Sequence, residues 1–105
     1  MKKISFYKAM CNDRFEESSG YPVSFRDGNV CVYLVLHKER SLWYATDPVS
    51  GLGCGVCSRT RQGLIDAITA DKIKVFTNAM RGDSYLKRCD KLRRYAETFP
   101  LPILV

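Results

Sequence analysis

Cys54-Gly55-Val56-Cys57 is the one spacing in this chain that metal or redox chemistry uses. A zinc centre needs four ligands, as two such pairs or as one pair with two histidines. The other thiols, Cys11, Cys31 and Cys89, are isolated in sequence, and His37 is the single histidine. A redox pair is activated at a helix N-terminus. These cysteines fall instead in an apparent strand, which sends residues three apart to opposite faces. The ligand count therefore gives no metal site and no cofactor. Nucleophilic catalysis fares no better: Cys31 lies six residues from His37, about 20 Å along a strand. No paired-carboxylate motif stands out. These residue types point away from an enzyme, and no catalytic residue is assigned.

The glycines around the cysteine pair carry more information. Gly51, Gly53 and Gly55 share one face with Cys57, and Leu52, Cys54 and Val56 share the other. Glycine weakens a strand interior and marks places where a ring or another backbone comes close. The expectation is that Trp43 or Tyr33 packs over this flat strip, the alternative being a docked partner. Gly-Leu-Gly-Cys-Gly does not match a dinucleotide or P-loop fingerprint.

The richest charge pattern lies near the C-terminus. Residues 81–98 hold six of the 17 Lys/Arg and three of the 11 Asp/Glu, which is half of the net charge of +6. At 100° per residue Leu86, Cys89, Leu92 and Ala96 form the buried face of a helix. Lys87, Arg88, Lys91 and Arg94 gather on its outer side, where each can neutralise a phosphate. Tyr85 and Tyr95 are near enough to add stacking. The competing account is a solvated helix, because Asp83–Lys87, Asp90–Arg94 and Arg93–Glu97 are all spaced for ion pairs. Arg81-Gly82-Asp83 reads as a turn between helices.

Several elements must position these groups. Ile4, Tyr7, Cys11 and Phe15 recur near helical spacing, so a helix is expected over about residues 5–16, with a short strand around Ile4 and Phe6 as the alternative. From Tyr21 the signals are β. Pro22–Arg26 is followed by an Asp27-Gly28 hairpin pair and by Val30–Leu36, apolar on both faces and so expected to lie centrally. Leu42–Thr46 is the next strand, Asp47-Pro48-Val49-Ser50-Gly51 a turn, and Leu52–Ser58 the last strand. Thr60 then caps a short helix with Leu64, Ile65 and Ile68 inward. Ile73, Phe76 and Met80 mark a second helix, with a strand over Ile73-Lys74-Val75 as the alternative. Ser84 caps a third, ending near Phe99. Leu101–Val105 is expected to pack as an apolar edge strand, the alternative being presentation to another chain. The fold class that results is α+β, an antiparallel sheet of three to four strands with helices packed on one face, in a single domain spanning residues 1–105.

Composition bounds the function. With 46% hydrophobic and 27% charged residues the chain is an ordinary globular one. Five cysteines without an export signal fit a reducing compartment. No apolar run approaches the roughly 20 residues of a membrane helix, so a soluble cytoplasmic protein without membrane attachment is expected. The basic excess favours nucleic acid, anionic lipid or an acidic protein surface as partner.

The stretch Trp43–Leu52, followed by Thr60-Arg61 and Ala67-Ile68, resembles small proteins of phages and mobile elements, in which a tryptophan-bearing hairpin runs into a short capped helix. The resemblance covers about a quarter of the chain. It implies an accessory protein without catalytic machinery, of the kind that includes anti-CRISPR and other anti-defence inhibitors. No defining motif unites those inhibitors, so no site residue carries over. Two functions are expected in turn: a non-catalytic inhibitor or adaptor that binds a larger protein or ribonucleoprotein machine, or a nucleic-acid-binding module using Lys87, Arg88, Lys91 and Arg94. A metal or thiol protein built on Cys54 and Cys57 comes third.

Overall fold

Alternation of side chains, not helical period, governs the first half of the chain. The computed structural model describes residues 2–11 and 14–101. Among them five strands form one antiparallel sheet in the order β1 (Ile4–Ala9), β2 (Phe15–Asp27), β3 (Val30–Glu39), β4 (Leu42–Thr46) and β5 (Gly53–Ser58). Three helices follow, α1 (Arg61–Ala67), α2 (Ala70–Ala79) and α3 (Asp83–Thr98). The α+β class is as expected, with one strand more than the three to four anticipated.

That extra strand is β1, and it overturns the helix expected over residues 5–16. Ile4 pairs with Gly20 and Ala9 with Phe15, so the segment is the first arm of a hairpin. Its neighbouring rings, Phe6 and Tyr7, are both buried but on opposite sides. Phe6 lies 5.0 Å from the His37 ring, and Tyr7 meets Tyr95 of α3 edge-on at 5.0 Å. A strand buried on both faces loses its clean alternation, and here the residue is a spacing that mimics a helix.

Strand β2 is 13 residues long and serves two partners. Up to Gly20 it pairs with β1, and from Tyr21 onward with β3. At the changeover the chain folds so closely onto β3 that a Cβ on Gly20 would stand 2.4 Å from the Leu36 carbonyl oxygen. Only glycine fits there. The sheet curls as a result, and Ala9 N–H donates to the Gly51 carbonyl at 2.7 Å, joining β1 to the β4–β5 turn.

Curling gives the sheet a covered outer face and a hollow inner one. On the outer face Phe25, Val32, Leu34, Leu36 and Ala45 pack against Leu64 and Ile68 of α1 and Ile73 of α2. Strand β3 lies centrally, as its double-sided apolarity predicts, and residues 34–37 are buried. Helix α1 is capped at Thr60 as expected, its side chain accepting from Gly63 N–H at 2.9 Å. Helix α2 starts from Thr69, which removes the strand alternative over Ile73-Lys74-Val75. Helix α3 departs in two respects. Its N-cap is Gly82 rather than Ser84, with Asp83 in the first turn where the helix dipole favours an anion. Its buried contacts run through Tyr85, Leu92 and Tyr95, leaving Leu86 56% exposed. Of the expected C-terminal edge strand, Leu101 is not in a strand and residues 102–105 lie outside the described residues. No helix among the described residues is long and apolar enough to cross a membrane.

The turn at residues 47–51 is the joint of the fold. The buried Asp47 carboxylate accepts from Val49 N–H (3.1 Å), Ser50 Oγ–H (2.7 Å) and Tyr85 O–H (2.6 Å). Gly51 sits at φ +78°, and a Cβ there would lie 2.9 Å from Ala9 N and 3.1 Å from Leu92 Cδ1. Tyr85→Phe removes one charge-assisted bond and is expected to lower stability by about 1–2 kcal/mol. Gly51→Ala combines left-handed strain with the clash and is expected to cost about 2 kcal/mol or more. Urea unfolding followed by circular dichroism measures both, and a midpoint unmoved by either substitution would show that the joint does not hold the fold.

Candidate binding surfaces

Three surfaces follow from this arrangement. The first is the basic face of α3. Lys87, Lys91 and Arg94 are exposed and Arg88 is half-buried. Much of the charge is already engaged within the helix. Arg94 pairs with Asp90 at 3.0 Å, and Arg93 pairs with Asp90 and with Glu97 at 3.0 Å. Arg88 and Lys91 have partners as well. Two of the three ion pairs expected from the spacing, Asp90–Arg94 and Arg93–Glu97, are present. The tyrosines expected to add stacking are consumed elsewhere: Tyr85 bonds Asp47, and Tyr95 packs among Tyr7, Phe15 and Phe99. Both burial and the Asp47 hydrogen bond push the Tyr85 phenol far above its ordinary pKa, so it stays a donor.

The second surface is the hollow of the curled sheet, a groove of about 330 Å³ bordered by Lys8 and Ala9 of β1 and by Gly53, Gly55 and Cys57 of β5. It is the glycine strip identified from sequence. Neither Trp43 nor Tyr33 covers it. Trp43 pairs with Lys38 and Ser58, and parity turns it to the outer face, against the core. Tyr33 is 50% exposed. The same parity separates the cysteines: Cys54 is half-buried on the outer side and Cys57 exposed on the groove side. Burial raises the Cys54 thiol, which keeps it protonated. No group of three or more His, Cys, Asp or Glu is placed to hold a metal among the described residues.

His37 is the buried polar centre of that hollow. It is 3% exposed, beneath Phe6 and beside the Tyr44 ring at 6.0 Å. Its Nε2 shares a 2.7 Å hydrogen bond with Thr46 Oγ1, while Nδ1 has no hydrogen-bond partner and stands 3.5 Å from Glu39 Oε2. Glu39 in turn pairs with Lys8, which also reaches Glu16 at 3.2 Å. Burial tends to lower the Lys8 ammonium, but the hydrogen bonds to Glu39 and Glu16 outweigh it and raise its pKa. Cys57 lies two strands from His37, beyond Tyr44 in the register. At strand spacing that is about 10 Å, too far for a thiol–imidazole pair. Cys31 is six residues away along β3 and does not approach it either.

The third surface was not legible from sequence. At one end of the outer face, Lys38, Trp43 and Ser58 follow one another in register across β3, β4 and β5, and Tyr21 of β2 lies beside them. The Tyr21 and Trp43 rings are 6.4 Å apart. The Arg61 guanidinium, at the start of α1, sits over both rings, 5.5 Å from Tyr21 and 6.0 Å from Trp43. Lys3 stands 5.6 Å from the Tyr21 ring. Hollows of about 410 and 460 Å³ open on either side of Tyr21.

Comparison with family models, with curated proteins and with solved structures found no match to this chain.

His37 gives a pH-dependent signature. Burial pushes its pKa below the ordinary value, Lys8 adds to this and Glu39 opposes it. The unfolded chain therefore takes up a proton, near pH 6.5, before the folded chain does. Stability is full above that pH and falls as the pH drops toward 5, by at most about 1.4 kcal/mol per pH unit for one proton. Melting temperature measured by circular dichroism from pH 7.5 to about 5 should show this fall, and His37→Gln should flatten it. An identical slope in the variant would remove His37 as its source.

Proposed function

We propose that this chain is a non-catalytic binding protein, an inhibitor or adaptor that docks on a larger protein or ribonucleoprotein machine. The observation that supports this reading is the use to which its polar groups are put. His37, Asp47 and Tyr85 are held in internal hydrogen bonds, the thiols are dispersed, and the strip Tyr21–Lys38–Trp43 with Arg61 is left at the surface. Buried networks of the first kind hold a fold together, and half-buried rings bordered by exposed cations are what binding surfaces use. The Trp43–Leu52 stretch resembles small proteins of phages and mobile elements, a kind that includes anti-defence inhibitors without catalytic machinery. Direct nucleic-acid binding by Lys87, Arg88, Lys91 and Arg94 is the second reading. It is weakened by the ion pairs of α3, which would have to break for phosphate to replace Asp90 and Glu97.

Affinity capture of the tagged chain from its host's lysate, with and without nuclease, separates the two. A stoichiometric protein partner that survives nuclease is the expected result. Recovery of nucleic acid alone, lost in Lys91→Glu/Arg94→Glu, would overturn it in favour of the α3 face.

A further inference from the structure

We propose that the strip formed by Tyr21, Lys38, Trp43 and Arg61 is a platform for single-stranded nucleic acid, with bases stacked on the two rings and the cations on the phosphates. The inference rests on the binding reading above and narrows its partner to one that displays an unpaired strand. Three observations carry it. Both rings lie on one sheet face, in adjacent register positions of β2 and β4 around β3, so one strand can cross them in succession. Stacking of this kind tolerates any base, because every base has a π-face. The charge alongside is mainly positive: Lys3, Lys38 and Arg61 are exposed and border the rings, and Glu39, which also lines the hollow there, is paired with Lys8. Arg61 also already stands over both rings, 5.5 and 6.0 Å from their centroids, so part of its freedom is spent before a phosphate arrives.

An acidic peptide uses the rings only where it brings apolar or aromatic side chains of its own, and duplex DNA or RNA hides its base faces within the stack. The unpaired strand is the occupant that uses both halves of the strip.

The test uses the purified full chain and dye-labelled mixed-sequence RNA and DNA of about 12 nucleotides, within the span that single-strand sites cover. Fluorescence anisotropy gives the affinity, and the emission of Trp43, the sole tryptophan, reports ring contact directly. A duplex and an abasic strand of equal length serve as comparators. The expected result is binding of single strands that weakens steeply with salt and shifts Trp43 emission. It should fall at least about tenfold for the abasic strand, and likewise for Arg61→Glu and Lys38→Glu. Both positions are exposed, and unchanged circular dichroism melting confirms the folded state of the variants. Either sugar supports the proposal, and the tighter of the two identifies the source. Equal affinity for the abasic strand would overturn it, as would absence of binding, or loss in Lys91→Glu/Arg94→Glu but not in Arg61→Glu. The assay needs no partner protein, so its failure leaves a captured partner standing, and a failed capture leaves the assay standing.

Discussion

Asp47 sits where three parts of the chain meet, and its carboxylate is the interaction on which the others depend. It is almost wholly buried, and a buried carboxylate is tolerable only when its oxygens are bonded. Two of its donors, Val49 N–H and Ser50 Oγ–H, come from the same turn and shape it. The third, the Tyr85 hydroxyl, comes from α3. One residue further on, Gly51 offers its carbonyl to Ala9 and leaves bare space for Leu92. The first strand and the last helix are thus fastened to the same five residues. With the close approach at Gly20 and the Ala9–Gly51 bond, β1 is brought to the β4–β5 turn, and the hollow between them buries His37.

Local chemistry made most of this legible in advance. The strands from Tyr21 to Ser58, the turn at residues 47–51 and the Thr60 cap are set by alternation, turn residues and a side-chain oxygen, all within a few positions of one another. What escaped depends on distant partners. Tyr7 and Phe15 recur at helical spacing, but they are apolar because α3 lies over them, and Phe6 is apolar because His37 lies beneath it. Nothing within residues 4–17 records that both faces are covered. Leu86 shows the converse error. The pattern of α3 places it with Cys89 and Leu92, but the helix packs along Tyr85, Leu92 and Tyr95, and Leu86 turns outward.

The surfaces divide in the same way. The basic residues of α3 are visible as composition because they are adjacent in sequence, and their ion pairs follow from i,i+4 spacing. The Tyr21–Lys38–Trp43–Arg61 strip draws on four separate elements, and only the register brings its members side by side. The glycine strip lines a hollow, and neither ring expected from sequence covers it. Of the two rings expected over it, Trp43 shares its parity with Cys54 and Val56 on the other side, and Tyr33 stays half exposed.

The two basic surfaces differ in what binding an anion would require of them. On α3, Arg93 and Arg94 are attached to Asp90 and Glu97. A phosphate arriving there gains one charge contact by giving up another, so the exchange is close to neutral. On the strip, Arg61 lies over aromatic faces, where its attraction amounts to about 0.5–1 kcal/mol at an exposed site. A guanidinium can keep that contact while its N–H edge bonds a phosphate, because ring face and edge are used at once. Stacking on Tyr21 and Trp43 adds about 1–3 kcal/mol per base, and a base that takes a ring face does so alongside Arg61 or in its place. The two clusters thus differ in what holds their cations: carboxylates on α3, and ring faces on the strip.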